Sequence, residues 1–231
     1  MGTLIKSNLS MILKNKLHMI LFVLVYGFGY MVPYGLNWFY TDNNWKISTV
    51  QEELYIFALL PASVFMVLNS SYFQYDKQLF CTFTKSAWKA VCSLYISFFL
   101  FHTVMFLAGN TFFSGLSFLM EGYFNVKLTV IHDTVMILQY AAGLFLIFAF
   151  AYLFRNTLFA YLAYGIVIMV SISAGKNAFT IFPVTAYIVN TLDYYQSMNW
   201  QLWGSRVIQI FVFFCFFLIV YMRYLKKMRQ M

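Results

Sequence analysis

Apolar runs about one membrane thickness long alternate with short polar intervals along the 231-residue chain. About 20 predominantly apolar residues are needed to cross the hydrocarbon core of a bilayer as a helix. Runs of that kind at Leu17 to Phe39, Leu54 to Phe73, Ala90 to Thr111, Thr134 to Phe154, Leu158 to Ala174 and Val207 to Tyr224 predict six spans. The expected fold is all-α: one polytopic transmembrane domain over residues 1–231, with loops too short for a separate soluble domain.

The intervals between these runs have their own patterns. In residues 1–16, Leu4, Ile5, Leu9, Ile12 and Leu13 fall near helical spacing, with Lys6, Asn8, Lys14 and Asn15 between them. This predicts an interfacial helix leading into the first span. Residues 72–89, YFQYDKQLFCTFTKSAWK, are basic and amphipathic: Phe73, Leu79, Phe80 and Phe83 can share one helical face among Asp76, Lys77, Lys85 and Lys89. Such a segment either lies along the headgroups or docks its apolar face in a groove of another protein. Only Arg155, Asn156 and Thr157 separate the fourth and fifth spans, which makes those two a tight antiparallel hairpin. Residues 175–205 are too polar to cross the membrane and too aromatic for a solvated loop. With Pro183 and Asp193 as interruptions, they predict a re-entrant or interfacial segment on the outer face.

Composition agrees with this layout: 62% of residues are hydrophobic and 10% charged, where an ordinary soluble domain carries about 25% charged residues. Charge also orients the chain. Lys6, Lys14, Lys16, Lys77, Lys85, Lys89, Arg155, Arg223, Lys226, Lys227 and Arg229 fall on one side of the six-span arrangement. The other side keeps Lys46, Lys127, Lys176 and Arg206, together with Asp42, Glu52, Glu53, Glu121, Asp133 and Asp193. The positive-inside rule then places both termini in the cytosol of a cell-membrane protein. The net charge of +8 is accounted for by orientation and anionic lipid, so it does not imply a nucleic-acid partner. Tyr34, Trp38, Phe39, Tyr40 and Trp45 form an aromatic belt at the outer interface.

The motifs of membrane enzymes and metal proteins are missing. His18, His102 and His132 are far apart with no HExxH arrangement, so no metal site is expected. Cys81, Cys92 and Cys215 make no CxxC and no disulfide framework. Gly115, Leu116 and Ser117 with His132 resemble a serine protease pair only superficially, because they fall on a connector between predicted spans. Gly175, Lys176 and Asn177 lack the first glycine and the final hydroxyl of a P-loop, so this chain is not expected to hydrolyse ATP or to hold a cofactor. His102 is the one strongly ionisable side chain at mid-span. With no carboxylate at the same depth, it is read as a packing residue in preference to a proton carrier.

Together these elements resemble the membrane subunit of ABC exporters of the ABC-2 type. The shared features are the N-terminal elbow at residues 1–16, six spans with cytosolic ends, the basic helix at residues 72–89, the tight turn at Arg155 and the outer segment before the last span. The size and aromatic style are similar to small peptide-handling permeases, including those for lantibiotic self-protection. The resemblance implies a coupling helix whose Phe73, Asp76, Lys77, Leu79, Phe80, Phe83 and Lys85, with Arg155 from the short turn, meet a separate ATPase subunit. Asp76 is followed by Lys77, where many relatives have glycine. It also implies a second permease copy and ATP-driven export of an amphipathic or peptide-like cargo. The alternatives are a gradient-driven transporter, a substrate-binding membrane subunit, or a membrane scaffold or sensor that transports nothing.

Overall fold

The computed structural model describes residues 1–17, 19–20, 23–24, 67–68, 87–121, 126–154, 156–173 and 200–229. Among them the chain is all-helical, with five helices: α1 (Gly2–Lys14), α2 (Ala87–Glu121), α3 (Val126–Leu153), α4 (Thr157–Ser173) and α5 (Trp200–Arg229). Two stretches, Ala87–Phe112 of α2 and Val207–Lys227 of α5, are long and apolar enough to cross a membrane. Tyr140–Leu153 and Thr157–Val167 form shorter apolar stretches in α3 and α4. Most of the first two expected spans lies outside the described residues. Val67 and Leu68, from the second, are helical and fully buried in the common core.

The helices alternate in direction. Phe98 meets Phe148, and Tyr95 donates a hydrogen bond from its hydroxyl to the Ala141 carbonyl at 2.9 Å. Nearer the far end of α2, Asn110 donates to Asp133. These pairings make α2 and α3 antiparallel. By contrast, Phe145 lies against Phe214 and Tyr152 against Tyr221 and Tyr224, so α3 and α5 run parallel; this is also the most extensive helix contact.

At the hairpin, Phe154 follows the end of α3, its N–H bonded to the Phe150 carbonyl, and Asn156 precedes α4. The turn is tight because Asn156 caps α4: its side-chain oxygen accepts the Leu158 N–H at 2.8 Å and its carbonyl accepts that of Ala160. Gly143 leaves room for a ring of α4, since an added Cβ would stand 3.0 Å from the Tyr164 hydroxyl.

Two boundaries differ from those expected. The sequence ends the third span at Thr111, yet α2 continues to Glu121 and is 35 residues long, about 52 Å at 1.5 Å per residue. Hydrocarbon thickness limits a span but not a helix, and nothing in this stretch breaks one: Thr111 returns its hydroxyl to the Leu107 carbonyl. Gly115–Ser117 and His132 therefore sit within helices and not on a connector. Similarly α5 begins at Trp200, inside the expected re-entrant segment 175–205; residues 175–199 lie outside the described residues.

Candidate functional site: an aromatic collar and cleft at the basic end

The antiparallel and parallel pairings bring the start of α2, the end of α3 and the end of α5 to one end of the bundle. Trp88 of α2 packs on Phe217 and Tyr221 of α5, with ring centroids 6.4 and 5.8 Å apart. Tyr152 of α3 meets Tyr221 and Tyr224 at 5.1 and 5.0 Å. This makes a collar of tryptophan and tyrosine rings, and Lys89, Arg223, Lys226 and Lys227 are exposed around it. Tyr152 and Tyr221 are buried in the core, while Trp88 is exposed and Tyr224 half-buried, so Trp88 and Tyr224 are the rings this end presents beside the cations, a combination that a bilayer interface selects.

The N-terminal helix is fixed close by. Asn8 is buried and donates through Nδ2 to Ser93 Oγ at 3.2 Å, and Ser93 donates in turn to the Ala90 carbonyl at 2.8 Å. One turn further along α2, Ser97 donates to its own helix at the Ser93 carbonyl and, at 3.4 Å, to the Ile5 carbonyl of α1. The order of these contacts makes α1 antiparallel to α2 and carries Lys14 and Lys16 towards the collar. Asn15 leaves helical geometry (φ −76°, ψ 101°), and the Met19 N–H to Asn15 carbonyl bond begins the next helical stretch. The expected elbow is thus a separate, docked helix with a break at Asn15. The sequence places Asn8 among the polar spacers; the structure buries it.

Between α2 and α5, above α3, lies an apolar cleft of about 140 Å³ lined by Trp88, Val91, Cys92, Tyr95, Ile96, Phe145, Phe214 and Phe217. It forms because α2 and α5 both lean on α3 while making far less backbone contact with each other. Its walls are held by stacking: Tyr95 lies on Phe145 at 4.2 Å with the planes 16° apart, and Phe145 meets Phe214 edge-on at 5.2 Å. Periodicity did not single out this cleft, because its residues belong to three helices; the density of Phe and Tyr in α3 and α5 was the available signal.

His102 is 4% exposed, midway along the apolar part of α2, with its ring 5.0 Å from Tyr140 and 5.4 Å from Phe101. The Asn110–Asp133 pair is eight residues further along α2, about 12 Å away along the axis. The rings of Phe101 and Tyr140 thus pack against His102 in the bundle interior. No group of three or more His, Cys, Asp or Glu that could hold a metal occurs among the described residues.

The residues expected to meet an ATPase, Phe73, Asp76, Lys77, Leu79, Phe80, Phe83, Lys85 and Arg155, lie outside the described residues. Of the segment 72–89, only Ala87, Trp88 and Lys89 are described, as the first turn of α2, and they place its C-terminal end at the collar. Comparison with known proteins gives no match: no family model, no curated protein and no solved structure is significantly similar to this chain.

Proposed function

We propose that the chain is the membrane-embedded permease subunit of an ABC exporter, working with a second permease copy and a separate ATPase to expel an amphipathic or peptide-like cargo. The observation that carries this reading is the collar. One end of an all-helical, largely apolar bundle gathers Trp88, Tyr152, Tyr221 and Tyr224 with Lys89, Arg223, Lys226 and Lys227. The basic segment 72–89 runs into that same end through Trp88 and Lys89, and the docked helix α1 carries Lys14 at its C-terminal end towards it. By the positive-inside rule this is the cytosolic face, where an ATPase would have access to segment 72–89 and to the Arg155 turn.

Another feature supports a membrane-embedded bundle. Val104, Phe112, Ile166, Phe211 and Ile219 are exposed, Phe112 by 75%, and soluble monomers rarely leave contiguous apolar patches above a few hundred Å² open to water. The antiparallel α2 and α3, the short α3–α4 turn and the parallel α3 and α5 fit successive crossings in alternating directions.

The test is co-expression with an ATPase encoded beside this chain, followed by purification and reconstitution in liposomes. ATP hydrolysis should rise severalfold when the chain is present. Hydrolysis that is unchanged by the chain contradicts the proposal.

A further inference from the structure

We infer that one face of α2, from Val104 to Leu119, is the surface on which a second copy of this chain packs, the two α2 helices running parallel about a twofold axis along the membrane normal. This gives the second copy proposed above its contact surface. It rests on the membrane reading and not on the ATPase.

Spacing and exposure together define the face. Val104, Ala108, Thr111, Gly115 and Phe118 are all exposed and follow one another at intervals of four, three, four and three residues, with exposed Leu107, Phe112 and Leu119 at their edges. Alternating steps of four and three make the 3.5-residue repeat that keeps a seam turned towards the partner in a left-handed helix pair. No residue of the face is charged, and Thr111 directs its hydroxyl to the Leu107 carbonyl. The seam is therefore apolar along its whole length.

Depth shows why lipid alone does not account for it. Trp88 marks the basic interface, and Asn110, bonded to Asp133, stands 22 residues further along α2, about 33 Å, where the hydrocarbon is about 30 Å thick. With α2 along the membrane normal, Phe112, Gly115, Phe118 and Leu119 lie past that boundary, Leu119 by about 13 Å. Phe112 and Leu119 are nonetheless 75% and 82% exposed. An added Cβ on Gly115 would meet nothing within 4 Å, so packing within the chain does not call for glycine there. A helix approaching closely over Ala108 and Gly115 does, since small residues let backbones come together.

A second copy fits this surface. Inserted in the same orientation, its α2 runs parallel to the first, so each seam position meets its own counterpart, and an uncharged seam brings no like charges together. Val104, Leu107, Phe112, Phe118 and Leu119 offer on the order of 500 Å² per copy, about 1,000 Å² for the pair, the size a specific interface should reach.

The experiment uses the full chain in membranes, with Cys81, Cys92 and Cys215 changed to serine and one new cysteine introduced at a time. Mild oxidation is followed by a gel that separates single from doubled mass. Ala108→Cys, Thr111→Cys and Gly115→Cys should trap severalfold more dimer than Ile166→Cys on α4 or Phe211→Cys on α5, which are exposed on other helices. A disulfide needs its two Cβ atoms about 4 Å apart. Gly115→Glu, which sets two carboxylates against each other at a position open within the chain, should lower trapping through Thr111→Cys severalfold while the amount of chain in the membrane stays the same.

Equal trapping at all five positions would reflect random collision and overturns the seam. Trapping chiefly at Ile166→Cys or Phe211→Cys overturns it in favour of another face, and trapping unchanged by Gly115→Glu overturns the close approach. With the chain in the membrane, no trapping at all, or a product of some other mass, overturns the second copy as the occupant and leaves the membrane reading standing. A chain absent from the membrane overturns both.

Discussion

Asn8 and Ser93, 85 positions apart in sequence, are joined by a 3.2 Å hydrogen bond from Asn8 Nδ2 to Ser93 Oγ that fixes the N-terminal helix to the first turns of α2. Both residues are buried, and Ser93 is already held by the Ala90 carbonyl, so the acceptor is oriented before α1 arrives. Interhelical hydrogen bonds in membrane proteins contribute about 0.6 kcal/mol on average. Asn8→Ala and Ser93→Ala should each lower stability in mixed micelles, and their double-mutant cycle should show a coupling of about that size. Strictly additive effects would mean that the bond does not hold the helix.

Phe217 should be the most costly single truncation at the α2–α3–α5 junction. It is 3% exposed and touches Trp88, Phe145, Phe148, Tyr152 and Tyr221. In water-soluble cores Phe→Ala costs about 3–5 kcal/mol. The loss here should be smaller, because unfolding within lipid does not bring the ring into water, but the lost packing remains. Phe211→Ala on the same helix, at a residue 65% exposed, should change stability little. Comparing the two variants by detergent unfolding checks this, and equal losses would contradict the packing described.

A reporter fused after Met231 should behave as cytosolic, and one inserted between Asn43 and Ser48 as external. The collar residues Arg223, Lys226 and Lys227 are within eight positions of Met231, in a helix that continues to Arg229, so the side of the membrane on which Met231 lies follows theirs. An external signal from the C-terminal fusion would reverse the orientation.

His102 packs against Phe101 and Tyr140, with the Asn110–Asp133 pair about two turns away, which favours packing over proton transfer. His102→Gln and His102→Asn should leave stimulated ATP hydrolysis largely intact and without a new pH dependence between about 5 and 8, where histidine ordinarily titrates. Loss of activity in both variants would point to a proton-linked role.

The helical, apolar character of the chain is legible in the sequence because membrane helices need long unbroken runs, and these survive any detail of packing. The α3–α4 turn is legible for the same reason, since Arg155 to Thr157 leaves no room for anything longer. The docking of α1 is not. A buried Asn8 reads as one more polar spacer until Ser93 is known to stand opposite, and pairing across 85 residues leaves no mark on local periodicity. The end of α2 was also hidden, since Asn110 and Thr111 look like an interface while their side chains are satisfied by Asp133 and by the helix itself. The cleft draws on three helices at once, and so no single stretch announces it.

Docking of an ATPase on the segment that leads into Trp88 is tested most directly by changing its expected apolar anchors. Buried aromatic side chains dominate binding at protein interfaces, and charges at the rim contribute little. The full chain, co-expressed with the proposed partner, an ATPase encoded beside it, and captured from membranes, should retain that ATPase and its stimulated hydrolysis as wild type and as Lys85→Gln. With Phe80→Ser and Phe83→Ser together it should lose both, while the amount of chain in the membrane stays the same. Retention of the ATPase at the wild-type level with both phenylalanines replaced would contradict the coupling role, and failure of the wild-type chain to hold any ATPase would contradict the permease assignment itself.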